Sequence, residues 1–192
     1  MNFLAHLYLS GDDEEIKFGN FIGDAVKGNQ FMQYNEQIRK GVMLHRLIDH
    51  YTDHHPIVEQ SKSRLRSKYH KYSSVIVDMV YDHYLAANWH DYSPIPLKSY
   101  VQTAYFVALK RYFILPAHIK KILPFMIYSN WLASYANLDE MQKRFEGMSK
   151  RAKFESGMQY VIADIKTDYS LYETEFKNFF PDIIHFVKNQ GF

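Results

Sequence analysis

Residues 41–56 read GVMLHRLIDHYTDHHP, with four histidines and two aspartates among ordinary apolar residues. On an α-helix, positions three or four apart share a face. Ile38, Val42, His45, Asp49 and Thr52 therefore form one row. The row begins apolar, so it should turn inward and leave His45 and Asp49 one turn apart on a buried stripe. A carboxylate taken out of water must be compensated by a proton, a cation or hydrogen bonds. The helix carrying this row should run from about Asn35 to about His54, with Pro56 stopping or restarting it.

Helical periodicity continues outward in both directions. Upstream, Asp12 or Asp13 can cap a helix whose first turn holds Glu14 and Glu15, and Gly28 suits its far end. Downstream, helices are expected over about 57–69, 73–89, 97–115 and 118–133, the last interrupted near Pro124. From Phe154 to Phe179, apolar residues recur every three or four positions as one broad face. A Met and aromatic stripe of this kind belongs to a core rather than to a cofactor. No segment alternates with period two for long. The fold expected is all-α: a single compact multi-helix domain over residues 1–192.

A second buried row repeats the puzzle. Val75, Asp78, Asp82, Leu85 and Trp89 share a face, and two carboxylates one turn apart repel each other. A metal cation would relieve that, and so would arginines. Asp24 lies in GNFIGDAVKG, where Gly19, Gly23 and Gly28 weaken a helix but leave room for close packing. His6 is the one polar side chain in FLAHLYL. With no cysteine, a His/Asp set made of His6, Asp24, His45, Asp49, Asp78 and Asp82 favours a hard or borderline ion. Mn²⁺, Fe²⁺ and Mg²⁺ fit that description, and zinc is possible. Such an ion can acidify a water and shield phosphate charge, the two requirements of metal-assisted phosphoester hydrolysis. The competing reading is structural: a core histidine, or an aspartate paired with Arg39 or Arg46. The crowding at His50, His54 and His55 suits a solvated helix end.

Composition narrows the class. The chain has 192 residues, 47% hydrophobic and 23% charged, with a net charge of +2. These values suit a globular domain and exclude disordered and collagen-like chains. Without cysteine there is no disulfide, thiolate catalysis or Cys-type zinc site. MNFLAHLYLS lacks the basic start and cleavage site of a signal peptide, and no run is apolar enough to span a membrane. A cytoplasmic protein with no membrane partner is the simplest expectation.

Four blocks together resemble the acyl carrier protein phosphodiesterase family. They are MNFLAHLYLS at 1–10, GNFIGDAVKG at 19–28, LHRLIDHYTDHHP at 44–56 and DMVYDHYLAANW at 78–89. The resemblance is close over residues 1–90 and looser beyond. It implies a compact helical protein distantly similar to HD-domain metal-dependent phosphohydrolases. It further implies hydrolysis of the diester joining 4′-phosphopantetheine to a serine of holo-acyl carrier protein, with a divalent ion, typically Mn²⁺. His6, Asp24, His45, Asp49 and Asp82 fall in the matching blocks, as do Asp78, Arg46, Asp53 and His83. One departure stands out: the HD enzymes are named for an adjacent His-Asp pair, whereas here the adjacent candidates are His90-Asp91, at a helix end, and the reversed Asp82-His83, and His45 and Asp49 are spaced i,i+4.

On this reading Asp24, His45, Asp49, Asp82 and Asp78 hold the ion. His6 is a further ligand or a base, Arg46 or Lys27 steadies phosphate oxygens, and His83 protonates the leaving group. Acyl carrier proteins are acidic, so Lys62, Arg64, Arg66 and Lys68 in SKSRLRSKYHKY would form the docking face. KRFEGMSKRAKF at 143–154 is a second candidate, and a solvated helix face is the alternative for either. Besides a fold whose site has decayed to leave a structural protein, two rival functions remain at this level. One is a nucleotide phosphohydrolase using the same ion. The other is a helical nucleic-acid-binding module, which would need exposed basic and aromatic residues rather than inward carboxylates.

Overall fold

The computed structural model describes residues 1–192 and contains helices and turns but no strand. Eleven α-helices follow in order: α1 (Phe3–Leu9), α2 (Glu14–Ile22), α3 (Glu36–His54), α4 (Pro56–Tyr69), α5 (Ser73–Ala87), α6 (Leu97–Lys110), α7 (Ala117–Tyr128), α8 (Trp131–Ser134), α9 (Leu138–Arg151), α10 (Val161–Thr167) and α11 (Tyr169–Lys188). One cluster of 49 buried apolar residues runs from Met1 to Val187. The all-α expectation holds. No helix is long and apolar enough to cross a membrane.

Local chemistry explains the boundaries. The Asp13 carboxylate accepts from the backbone of Glu15 and Ile16, and Asn35 does the same for Ile38. Each side chain satisfies donors that the first helical turn leaves without partners. Pro56 sits at the start of α4, where its missing N–H costs nothing.

Three features stand out against the periodicity reading, besides α6 ending at Lys110 rather than near 115. The stripe from Phe154 to Phe179 is not one helix, because α10 ends at Thr167 and α11 starts two residues later. Helix α7 runs through Pro124 and ends instead at Tyr128, with Ser129 as its C-cap before Asn130 in the left-handed region. Helix α9, read from sequence only as a charge run, buries Met141 and Phe145 and exposes its polar face.

Helices α2 and α3 cross by backbone contact. A Cβ on Gly19 would run into the Ile38 carbonyl, and one on Gly41 into the Ile16 carbonyl. The glycines bring the helices closer than side chains would allow, and Asn20 therefore lies against His45. Gly23 serves the same end, since a Cβ there would occupy the His45 ring.

Candidate metal centre

The α3 row turns inward as its pattern requires: Ile38, Val42, His45 and Thr52 are buried and Asp49 is half-buried. His45 meets His6 from α1. Their rings stack 3.9 Å apart at 17°. The Nε2 atom of His6 stands 3.1 Å from Asp49 Oδ1, and that of His45 stands 3.1 Å from Asp49 Oδ2. Asp24 approaches from the turn after α2, with Oδ1 3.4 Å from His45 Nε2. The ligand atoms of His6, His45 and Asp49 lie within 4.8 Å of one another.

The opposite edges of both rings meet Asn20. Its side-chain carbonyl lies 2.8 Å from His6 Nδ1 and 3.2 Å from His45 Nδ1, and its main-chain carbonyl is 2.8 Å from His45 Nδ1. The amide orientation is fixed by its own donations, to the His6 carbonyl at 2.9 Å and to Ser10 Oγ at 2.8 Å. Each imidazole thus faces acceptors at both nitrogens. A neutral imidazole carries one proton and can satisfy only one end. Two stacked imidazolium rings would repel. A cation shared between the two Nε2 atoms and Asp49 resolves the conflict, so the donor set fits a divalent metal. The buried Nε2 of His45 is close to both carboxylates but aligned with neither for a hydrogen bond, which agrees with that fit.

Electrostatics follow the same logic. Burial and the neighbouring His45 push His6 down to about 4, against the pull of Asp49. Burial also opposes charge on His45, but Asp24 and Asp49 outweigh it and lift His45 to about 9. Burial would raise the Asp49 carboxyl, yet His45 and His6 hold it well below the usual carboxylate range. Contact with His45 likewise lowers Asp24.

The α5 carboxylates lie elsewhere. Asp82 is fully buried and accepts from the backbone N–H groups of Asn2, Leu4 and Ala5, at 3.3, 2.7 and 3.3 Å. It caps α1 and so fixes the helix that carries His6. Burial pushes it up to about 7, with those donors pulling the other way. Asp78 accepts at 3.0 Å from the Met1 ammonium, which is itself 3.9 Å from Asp49 Oδ1. The structure does not gather Asp78 and Asp82 with His6, His45 and Asp49.

His83 points away from the cluster. Its Nδ1 faces the Tyr135 carbonyl at 2.8 Å and its Nε2 the Tyr169 hydroxyl at 2.9 Å. Both ring nitrogens are taken up there, so the structure does not bring His83 together with His6, His45 and Asp49. The adjacent pairs fare no better as ligands: His90 and Asp91 bind each other on the surface. Arg46 donates through Nη2 to the carbonyls of Val26 and Gly28 at 3.2 and 2.6 Å, and stacks on Phe31. It clamps the loop that carries Asp24 onto α3.

The expected docking cations are neutralised within the molecule. Lys62 is buried against Asp53 at 2.7 Å, Arg64 pairs with Glu175, Arg66 with Glu59, and Lys68 with Asp164. Glu175 interrupts the apolar face of α11 and receives both Ser61 and Arg64. A face whose charges are already paired steers a partner weakly. Sequence reading also missed Asn20, although it lies inside GNFIGDAVKG. The signal was an amide that splits two apolar positions one turn from Asp24.

With this geometry established, the relatives can be placed. The model of the family described as "Acyl carrier protein phosphodiesterase" matches residues 1–183. The chain belongs to the acyl carrier protein phosphodiesterase family. A protein of that name from Photorhabdus laumondii is 29% identical over 193 residues, covering 100% of this chain and 98% of its own. One from Serratia proteamaculans is 29% identical over 191 residues, covering 99% of both. One from Yersinia pestis is 29% identical over 185 residues, covering 96% of both. No solved structure matches the chain. These matches cover 96–100% of this chain, and the family match includes residues 1–90.

Proposed function

We propose that this protein hydrolyses the phosphodiester between 4′-phosphopantetheine and serine in holo-acyl carrier protein, releasing the apo form. The names of its full-length relatives supply the substrate class. The observation that carries the chemistry is the pair of stacked imidazoles whose Nε2 atoms converge on Asp49. His6, His45 and Asp49 would hold a divalent ion, with Asp24 beside them. Nitrogen and carboxylate donors without thiolate suit Mn²⁺ first, with Fe²⁺ or Mg²⁺ as alternatives. When bound, such an ion supplies an acidified water and neutralises charge on the phosphoryl oxygens.

The chain's own residues prepare that site. Asn20 fixes both imidazoles with Nδ1 as the donor, leaving each Nε2 free. Asp82 sets the position of His6 through α1. Arg46 holds the Asp24 loop by its carbonyls. Lys27, exposed on that loop three residues after Asp24, would be the cation to meet a phosphate oxygen there.

The test is incubation of holo-acyl carrier protein with protein loaded with Mn²⁺ or stripped by chelator, followed by mass spectrometry. Loss of the phosphopantetheine mass with metal alone is the expected result. An unchanged mass with every divalent ion would refute the substrate, and nucleotide hydrolysis would then be assayed on the same sample.

A further inference from the structure

We propose that the surface of α6, the turn at Tyr112–Ile114 and α7 is the docking face for the acidic carrier-protein substrate, an inference that rests on the reading above. Three observations carry it. The first is charge. Residues 92–138 contain Lys98, Lys110, Arg111, Lys120 and Lys121 and not one aspartate or glutamate. The carboxylate that pairs with this stretch is Glu14, taken up by Lys110 and Arg111. Lys98, Lys120 and Lys121 enter no ion pair, in contrast to the four paired cations of α4.

The second is apolar exposure. This quarter of the chain holds eight of its fourteen exposed large hydrophobic side chains. Phe113 is 91% exposed and Phe106 60%. Cations sit among them: Lys110 lies over the Phe106 ring at 5.7 Å, and Lys120 over Tyr112 at 5.8 Å. Lys120 also donates to the Phe113 carbonyl at 2.8 Å, which holds the knuckle in shape. Protein interfaces combine aromatic anchors with a charged rim in this way.

The third is continuity with the metal cluster. Tyr34 donates to the Ile114 carbonyl at 3.2 Å. Tyr34 closes the turn Gln30–Gln33, whose Phe31 stacks under Arg46 at 5.0 Å. Arg46 follows His45. The knuckle is thus tied through Tyr34, Phe31 and Arg46 to the helix that carries His45 and Asp49, which places a carrier protein seated there next to that helix. The face is too sparse in cations to track a nucleic-acid backbone, where phosphate neutralisation supplies most of the affinity. Its charge complements an acidic protein, and complementary charge acts mainly on encounter.

The experiment compares wild type, K120E/K121E and F113A with Mn²⁺, using holo-acyl carrier protein and bis(4-nitrophenyl) phosphate as substrates. The substitutions are at the surface, and thermal melts establish that the variants fold. We expect KM for the carrier protein to rise about tenfold in K120E/K121E and about threefold in F113A, with kcat and small-diester turnover unchanged. Carrier kinetics identical to wild type in both variants would overturn the docking face while leaving the proposed activity intact. Equal losses on both substrates would overturn it too, since the damage would then lie in the cluster. Absence of carrier-protein turnover by wild type would overturn the activity itself and, with it, this partner. If the variants lose binding to phosphatidylglycerol vesicles or duplex DNA while KM stays fixed, the face belongs to a different occupant.

Discussion

Helices α3 and α5 each carry an aspartate on an inward row, and they use it in opposite ways. Asp49 on α3 sits half-buried between two imidazoles and is kept ionised by them. Asp82 on α5 is fully buried, meets only backbone N–H groups, and is pushed up to about 7 by its burial. The spacing on the two helices is alike, so spacing does not separate a carboxylate that meets imidazoles from one that caps a helix. What separates them is the partner. Asp49 faces nitrogens that can share a cation, whereas Asp82 faces the N-terminal turn of a helix, whose free donors need an anionic acceptor.

The sharpest way to break this contrast is to remove each carboxylate. Asp49→Ala should reduce turnover of holo-acyl carrier protein by at least about a hundredfold, more than the loss typical of outer-sphere residues. It should also abolish Mn²⁺ binding by calorimetry without lowering the melting temperature. Asp82→Ala should instead cost about 3 kcal/mol in urea unfolding, because buried donors lose their acceptor. If Asp82→Ala melted like wild type but bound no Mn²⁺, the assignment of Asp82 as a cap would be wrong.

A finer probe is Asn20→Leu. Without the shared carbonyl, neither imidazole is held with Nε2 free, and Mn²⁺ affinity should drop roughly tenfold to a hundredfold. Asn20→Asp retains an acceptor for both rings and should keep more of the affinity. An Asn20→Leu variant with wild-type affinity would remove Asn20 from the account.

Proton bookkeeping tests the cluster from another side. In the metal-free protein His45, lifted to about 9, is protonated at pH 7.5. A metal ligand must be unprotonated, so binding of Mn²⁺ should release close to one proton. Calorimetry in buffers of different ionisation enthalpy reads that number directly. Zero release would mean that His45 is not displaced from its proton by the ion. The smallest effect belongs to His83: His83→Gln should leave kcat within about threefold, since the ring touches only Tyr135 and Tyr169.

The sequence made some of this legible and hid the rest for physical reasons. The α3 half of the cluster could be read because helical periodicity alone brings His45 and Asp49 to one face. The capping aspartate and asparagine of α2 and α3 were equally local. The role of Asp82 could not be read, because its partners are Asn2, Leu4 and Ala5, nearly eighty residues away. The pairing of the α4 cations was hidden for the same reason: Arg64 and Lys68 find Glu175 and Asp164 on helices far along the chain. Counting charges within a stretch does not count the charges that fold onto it. By contrast, the acid-free run at 92–138 is a property of the sequence itself. It was overlooked because its cations are spaced apart rather than clustered.

The glycine crossing of α2 and α3 has a consequence for design. Backbone touching backbone has no rotamers, so the separation of Asn20 from His45 does not depend on how neighbouring side chains repack. Residues 14–54 form a hairpin that contains Asn20, Asp24, His45 and Asp49, with only His6 contributed from outside it. Such a unit is a candidate for grafting. Placed in another helical scaffold that supplies one histidine over the His45 ring, it would bring its own spacing with it. The recipient core could then be chosen for stability alone.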